Sequence, residues 1–240
     1  MNTSKQDIKR LGTILGVWAH PDDETMSSAG IMLSAIKNGQ RVICLTATKG
    51  EEGSQDEKKW PKSKLASIRE KELTASLKVI GVKEHHWLGF KDGNCRTEDN
   101  KGVEIVSKFI LKYLPDTILT FGPDGFTGHS DHKAVSAWVT KAVLLTGSSA
   151  RVYHSAITKE HFLDGLNKLD EKLNIFFELS QPNFIIESEK ALIFKLSPKL
   201  QEAKYRALKV IPSQTEVMLK AFSKSFICKT LSVEIFAKSK

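Results

Sequence analysis

Thr13-Ile14-Leu15-Gly16-Val17-Trp18-Ala19, followed directly by His20-Pro21-Asp22-Asp23-Glu24, decides how the rest of the chain reads. The first seven residues form an apolar run of strand length. A histidine and three consecutive acids at the end of a buried strand need a physical reason, because crowded carboxylates repel one another and lose hydration. A divalent cation held through imidazole and carboxylate is the economical one. A helix start, with acids complementing the helix dipole, accounts for Asp22 to Glu24 but leaves His20 unexplained.

Working outward, short apolar segments alternate with stretches of helical period. This pattern predicts an α/β fold with a mostly parallel sheet covered by helices. Strands are expected at 13–19, Arg41–Thr48, His85–Leu88, Thr117–Phe121 and Arg151–Ile157, and helices at Thr25–Lys37, Lys64–Ile80, Val103–Tyr113 and His132–Leu145. Gly39, Gly81 and Pro115 serve as stop signals between them. Beyond residue 158 the expected elements are a helix near Lys159–Leu169, apolar segments at Leu173–Leu179 and Asn183–Ser188, helices around Lys199–Val210 and Gln214–Ala221, and a last strand at Val233–Ala237. With no linker, repeat or low-complexity tract, residues 1–240 read as a single domain whose motif-bearing core spans about 11–158.

The polar motifs fall where the strands end. His20 to Glu24 follow the first strand, Lys49-Gly50-Glu51-Glu52-Gly53 the second, Gly89-Phe90-Lys91-Asp92-Gly93 the third, and Gly122 to His129 the fourth. The carboxyl ends of parallel strands are where such sheets bind ligands, so one cleft is expected there. The Gly50–Gly53 loop lacks the glycine spacing of a phosphate cradle, and its acids would repel phosphate.

A second cluster, Gly128-His129-Ser130-Asp131-His132, opens the helix after the fourth strand. His20, Asp23 and His132 then make a two-histidine, one-carboxylate set that leaves room for water, as a hydrolytic metal requires. Asp22 is assigned as general base, His129 as the group that polarises a carbonyl and protonates a leaving amine, and Asp131 as its orienting partner. Glu24 reads either as a second carboxylate supporting the ligands or as a favourable helix-start acid. His85, His86, His154 and His161 read as structural or exposed.

Composition narrows the partners. Thirty-six Lys and Arg against 28 Asp and Glu give a net charge of +8. The basic residues are scattered, with no stripe interleaved with aromatics, so a nucleic-acid partner is not expected. Cys44, Cys95 and Cys228 lie far apart without a C-x-x-C pair, which argues against a disulfide framework and for a reducing, cytoplasmic setting. The apolar run at 13–19 is too short to span a membrane. A homo-oligomer is compatible with the sequence.

Together the motifs resemble the LmbE-like (PIG-L) superfamily of metal-dependent N-acetylglucosaminyl deacetylases and related amidases. Its H-P-D-D-E element stands at 20–24 and its H-x-D-H element at 129–132, with weaker agreement at Thr48 to Gly53, Arg69, Glu72, Ala75, Leu88 to Gly93, Lys204, Ala207, Ser213 and Gln214. The resemblance implies a Rossmann-like three-layer domain that binds zinc, with iron or cobalt able to occupy the same ligands. The implied activity is hydrolysis of the acetamido group of an amino-sugar glycoconjugate. It implies the same metal ligands, base and acid pair, and adds Arg69 as a substrate-holding or site-shaping residue; an exposed arginine paired with Glu72 is the plainer reading. The chain departs from many members at Glu52, Thr127 and Ile211, all expected to face substrate. A non-catalytic metal- or sugar-binding module and a divalent-metal nuclease are the rival readings.

Overall fold

The computed structural model describes residues 8–179, 181–186 and 191–239. Its frame is a seven-stranded sheet in the order β3-β2-β1-β4-β5-β7-β6. The strands are β1 (Ile14–Trp18), β2 (Val42–Thr46), β3 (Glu84–Trp87), β4 (Thr117–Phe121), β5 (Arg151–Ser155), β6 (Ala191–Lys195) and β7 (Val233–Lys238). β1 to β5 are parallel, and β7 runs antiparallel to both β5 and β6. Every residue of β1, β2 and β4 is buried. Helices covering both faces of a parallel sheet produce that pattern, and the continuous apolar runs in the sequence are its signature.

Four long helices connect the parallel strands: α1 (Asp23–Lys37), α2 (Lys62–Ile80), α3 (Asn100–Tyr113) and α4 (Ser130–Thr146). These four expected helices form, each starting two or three residues earlier than expected and ending within one residue of the expected position. The chain steps from β1 to β2 to β3 in one direction and returns to place β4 on the other side of β1. This reversal opens a crevice at the carboxyl ends of β1 and β4, the switch point where such sheets take ligands. Both motifs flank it.

The second half diverges more from expectation. The helix foreseen near Lys159–Leu169 is broken into α5 (Lys159–His161), a π-helical turn (Phe162–Leu166) and α6 (Asn167–Leu173). Gly165 makes the break: its φ is +139°, and a Cβ there would lie 2.6 Å from Thr230 Oγ1. Then come α7 (Pro198–Lys209), α8 (Pro212–Ala221) and α9 (Lys224–Thr230). β6 and α9 were not foreseen. Leu173–Leu179 forms no strand beyond the end of α6. Asn183–Ser188 contributes an isolated parallel bridge, Ile157 to Phe184, and its last two residues lie outside the described residues.

Two apolar clusters fill the interior. The larger packs the sheet against the long helices around Trp18, Phe121 and Trp138. The smaller gathers Ile157, Leu166, Phe176, Ile211 and Leu231, with Phe126 touching both clusters. Between α7 and β7 lies a buried ion pair, Lys204 Nζ to Glu234 Oε1 at 2.9 Å. Glu234 also accepts from the Gly30 and Ile31 amides of α1, and Lys204 donates to the Met26 carbonyl. Cys44, Cys95 and Cys228 are free thiols. Among the described residues, no helix is long and apolar enough to cross a membrane.

Candidate active site

Residues from the ends of β1 and β4 meet at the switch point. His20 Nδ1 lies 3.0 Å from His132 Nε2, His132 Nε2 lies 3.5 Å from Asp23 Oδ1, and His20 Nδ1 lies 3.8 Å from Asp23 Oδ2. A tetrahedral zinc with nitrogen ligands at about 2.0–2.1 Å separates neighbouring donors by about 3.3 Å, so the three side chains fit one ion.

The hydrogen bonds behind these atoms settle which nitrogens are free. His132 Nδ1 is 2.9 Å from the Gly125 carbonyl, which can only accept, so the proton sits on Nδ1 and Nε2 offers its lone pair. The ring is further fixed by stacking on Phe121, with centroids 3.9 Å apart. His20 Nε2 faces Asp92 Oδ1 at 3.1 Å and Asp131 Oδ2 at 3.3 Å, which leaves Nδ1 open toward His132 and Asp23. Burial opposes charge on His20, yet the carboxylates of Asp131, Asp92 and Asp23 raise its pKa to about 10. Carboxylates gathered round an imidazole in this way also favour a divalent cation beside it. Asp23 is pushed up to about 7, by burial first and then by Asp22.

Asp22 occupies the N-cap position of α1, but its side chain makes no capping hydrogen bond. It turns instead to Arg69, whose Nη2 lies 3.2 Å from Asp22 Oδ1. Arg69 is buried, not exposed, and its Nη1 donates to the Gly50 carbonyl at 2.9 Å. Glu72 is bonded to the backbone and hydroxyl of Ser213, so the plainer Arg69–Glu72 pairing does not form. Glu24 is fully buried, with Oε1 accepting from Thr25 and Oε2 unpartnered. Burial and the neighbouring acids push its carboxyl up to about 8, against the Thr25 hydrogen bond. A solvated helix-start acid it is not.

Asp131 departs from its expected pairing. Its carboxylate accepts from the Gly93 and Cys95 amides at 2.8 and 3.1 Å and faces His20, whereas it reaches His129 only through its backbone N–H, 3.1 Å from His129 Nδ1. The reason is local: His129 is the N-cap of α4, so its ring accepts from the first turn while Asp131 turns under the loop after β3. With Nδ1 accepting, the His129 proton sits on Nε2. Burial, then the neighbouring His20, lowers the His129 pKa.

Asp92 joins the cluster without having been singled out in the sequence. It lies at the end of β3, bonds His20, and accepts from the Glu52 amide at 2.9 Å. Its acid at a strand end was the available signal. Burial opposes its ionisation, but the His20 contacts hold it well below the usual carboxylate range. Glu52, Thr127 and His161 line the cavity. Ile211 is buried within the smaller apolar cluster and is not among the residues that line the cavity. The cavity measures about 490 Å³, within the range of small-molecule sites.

Known proteins give the site its context. A family model described as GlcNAc-PI de-N-acetylase, PIG-L, matches residues 15–143, more than half of the chain. The 1D-myo-inositol 2-acetamido-2-deoxy-alpha-D-glucopyranoside deacetylase of Actinosynnema mirum is 26% identical over 234 residues, covering 85% of this chain and 81% of that protein. Mycobacterial relatives of the same name are matched over only about half of their length, 49%. Among solved structures, N,N'-diacetylchitobiose deacetylase from Pyrococcus horikoshii aligns with a TM-score of 0.68 at 22% identity, covering 97% of this chain and 85% of that one. The zinc-inhibited form of teicoplanin deacetylase aligns with a TM-score of 0.69 at 16% identity, covering 95% and 99%. At such identities the structural likeness is one of fold. The family match takes in both motifs and the strands that carry them, and the chain belongs to the GlcNAc-PI de-N-acetylase (PIG-L) family.

Proposed function

We propose that the protein is a metal-dependent hydrolase that removes the N-acetyl group of an amino-sugar-containing molecule, cleaving a linear amide C–N bond. The observation that carries this reading is the meeting of His20 Nδ1, Asp23 and His132 Nε2 within 3.0–3.8 Å, with Asp22 beside them on the cavity wall but turned to Arg69. The names of the relatives support the substrate class.

His20, Asp23 and His132 would hold a divalent ion, zinc by ligand type with iron or cobalt as alternatives, and its Lewis acidity would make water a nucleophile near neutral pH. Asp22 takes the proton of the attacking water as general base, and Arg69 fixes its carboxylate in the orientation that reaches the cavity. His129 presents Nε2–H to the amide oxygen as charge develops there, and the proton that Asp22 took from the water passes to the departing amine. Asp131 and Asp92 hold His20 by its far nitrogen. The substrate is an amino-sugar glycoconjugate.

Metal analysis of the purified protein, combined with acetate release from a panel of acetamido sugars, tests the reading. Bound divalent metal and chelator-sensitive acetate release are expected. Metal-loaded protein inactive on the whole panel would overturn the assignment as a deacetylase. Asp22→Asn is expected to keep its metal and lose about 10²-fold or more in turnover, whereas His132→Ala loses both. Unchanged turnover in Asp22→Asn would remove Asp22 from the role of base.

A further inference from the structure

The cavity has two chemically different ends. On one side of the ligand cluster stand Arg69, Glu52, Gly53 and Gln214, with Arg69 on Asp22 and Gln214 Nε2 donating to the Gly53 carbonyl at 3.1 Å. This end offers charge and hydrogen bonds. On the other side, past His129, the wall is Phe126, Ile157, Leu166, Phe176, Phe177 and Leu231. The His129 ring forms the boundary, its centroid 4.7 Å from that of His20 and 6.4 Å from that of Phe177.

An acetyl group cannot use the apolar end, because its single methyl stops next to the reacting carbon. The polar groups on that side do not change its character. Lys204 and Glu234 satisfy each other and the backbone of α1, and the other polar side chains on that wall are the Ser155 hydroxyl and the His161 imidazole, whose charged form is opposed by burial and then by Lys204. An apolar cavity end continuous with a hydrolytic cluster gains most by taking hydrocarbon out of water.

We propose that the preferred substrate is an N-acylated amino sugar whose acyl chain is longer than acetyl, with the sugar at the Arg69–Gln214 end and the chain running past His129 into the apolar end. This rests on the amide-hydrolase reading above and names its substrate class more closely. Hydrolysis is balanced as for acetate: water adds to the acyl carbon, the C–N bond breaks, and the products are a fatty carboxylate and the free amino sugar.

The test is a series of N-acetyl, N-butyryl, N-hexanoyl and N-octanoyl glucosamine assayed with metal-loaded protein. The value of kcat/KM is expected to rise about three- to fourfold per added methylene until the cavity is filled, the gain from burying each CH₂. Ile175→Trp, on the irregular segment after α6 and in the cavity wall, narrows the apolar end. It should cut octanoyl hydrolysis tenfold or more while acetyl hydrolysis holds. Phe177→Ala, at an exposed position, should flatten the same slope without threatening the fold.

A kcat/KM that stays flat or falls as the acyl chain lengthens, with acetyl hydrolysis retained, overturns the proposal and leaves the hydrolase reading intact. A gain from an octyl glycoside of N-acetylglucosamine, with none from longer acyl chains, overturns it by reversing the orientation. Failure on every amide sinks the hydrolase reading itself.

Discussion

At the scale of single residues, the sequence names the side chains that gather at the switch point, but not their pairings. His20, Asp22 and Asp23 stand out because crowded acids beside a histidine at the end of a buried strand repel one another and lose hydration, and His129 and His132 because they open the helix after another such strand. Asp131 stood two residues from His129 in sequence and was assigned to it, yet helix geometry aims its carboxylate at His20. Asp92, 72 positions after His20, completes that contact through a loop whose path sequence does not reveal. These two acids make a prediction. Asp131→Asn keeps the shape but removes the charge that holds His20 Nε2–H, and metal affinity should weaken about 10- to 100-fold in a chelator competition. Unaltered affinity would dismiss the Asp131–His20 contact as a support of the ligand. Gly50 supplies a second test. Its φ of +64° disfavours a side chain, and a Cβ there would lie 2.1 Å from Arg69 Nη1. Gly50→Ala should therefore displace Arg69 from Asp22 and lower kcat about tenfold or more with metal content unchanged, measured on the same preparation.

Among the elements, the parallel half of the fold was readable because strands buried on both faces must be apolar throughout and helices between them must show a 3.6-residue period. The remainder was less so. β6 is five residues long at the sheet edge, and α9 has seven, too short for either period to stand out. The helix broken at Gly165 depends on the approach of Thr230, a contact 65 residues away that no local pattern encodes. The buried pair between α7 and β7 matters for the site through α1, whose first turn bears Asp23 and whose N-cap is Asp22. Lys204→Met strands Glu234 without its cation, and about 3–5 kcal/mol of stability should be lost, read from the urea midpoint. A loss below about 1 kcal/mol would show that the α1 amides alone satisfy the carboxylate.

Across the whole molecule, burial lowers the pKa of every histidine except His20, with His85 pushed down to about 4 by burial and then by His86. The unfolded chain binds these protons below about pH 6.5, before the folded one does, so the contribution of these six histidines to stability is full above that pH and is lost as pH drops toward 4, whereas the raised groups His20, Asp23 and Glu24 act in the opposite direction. For His85 the window runs between 6.5 and about 4. Thermal denaturation across that range should show the loss, and His85→Gln should flatten its acid limb; an unchanged limb would assign the effect to the other histidines. The buried contact of Glu234 with Gly30 and Ile31 also has a consequence in time. During synthesis both motifs leave the ribosome some hundred residues before β7 does. The helix bearing Asp22 and Asp23 waits for that strand to lock its middle, so a nascent chain already carrying every reactive group becomes competent only once its last strand has emerged.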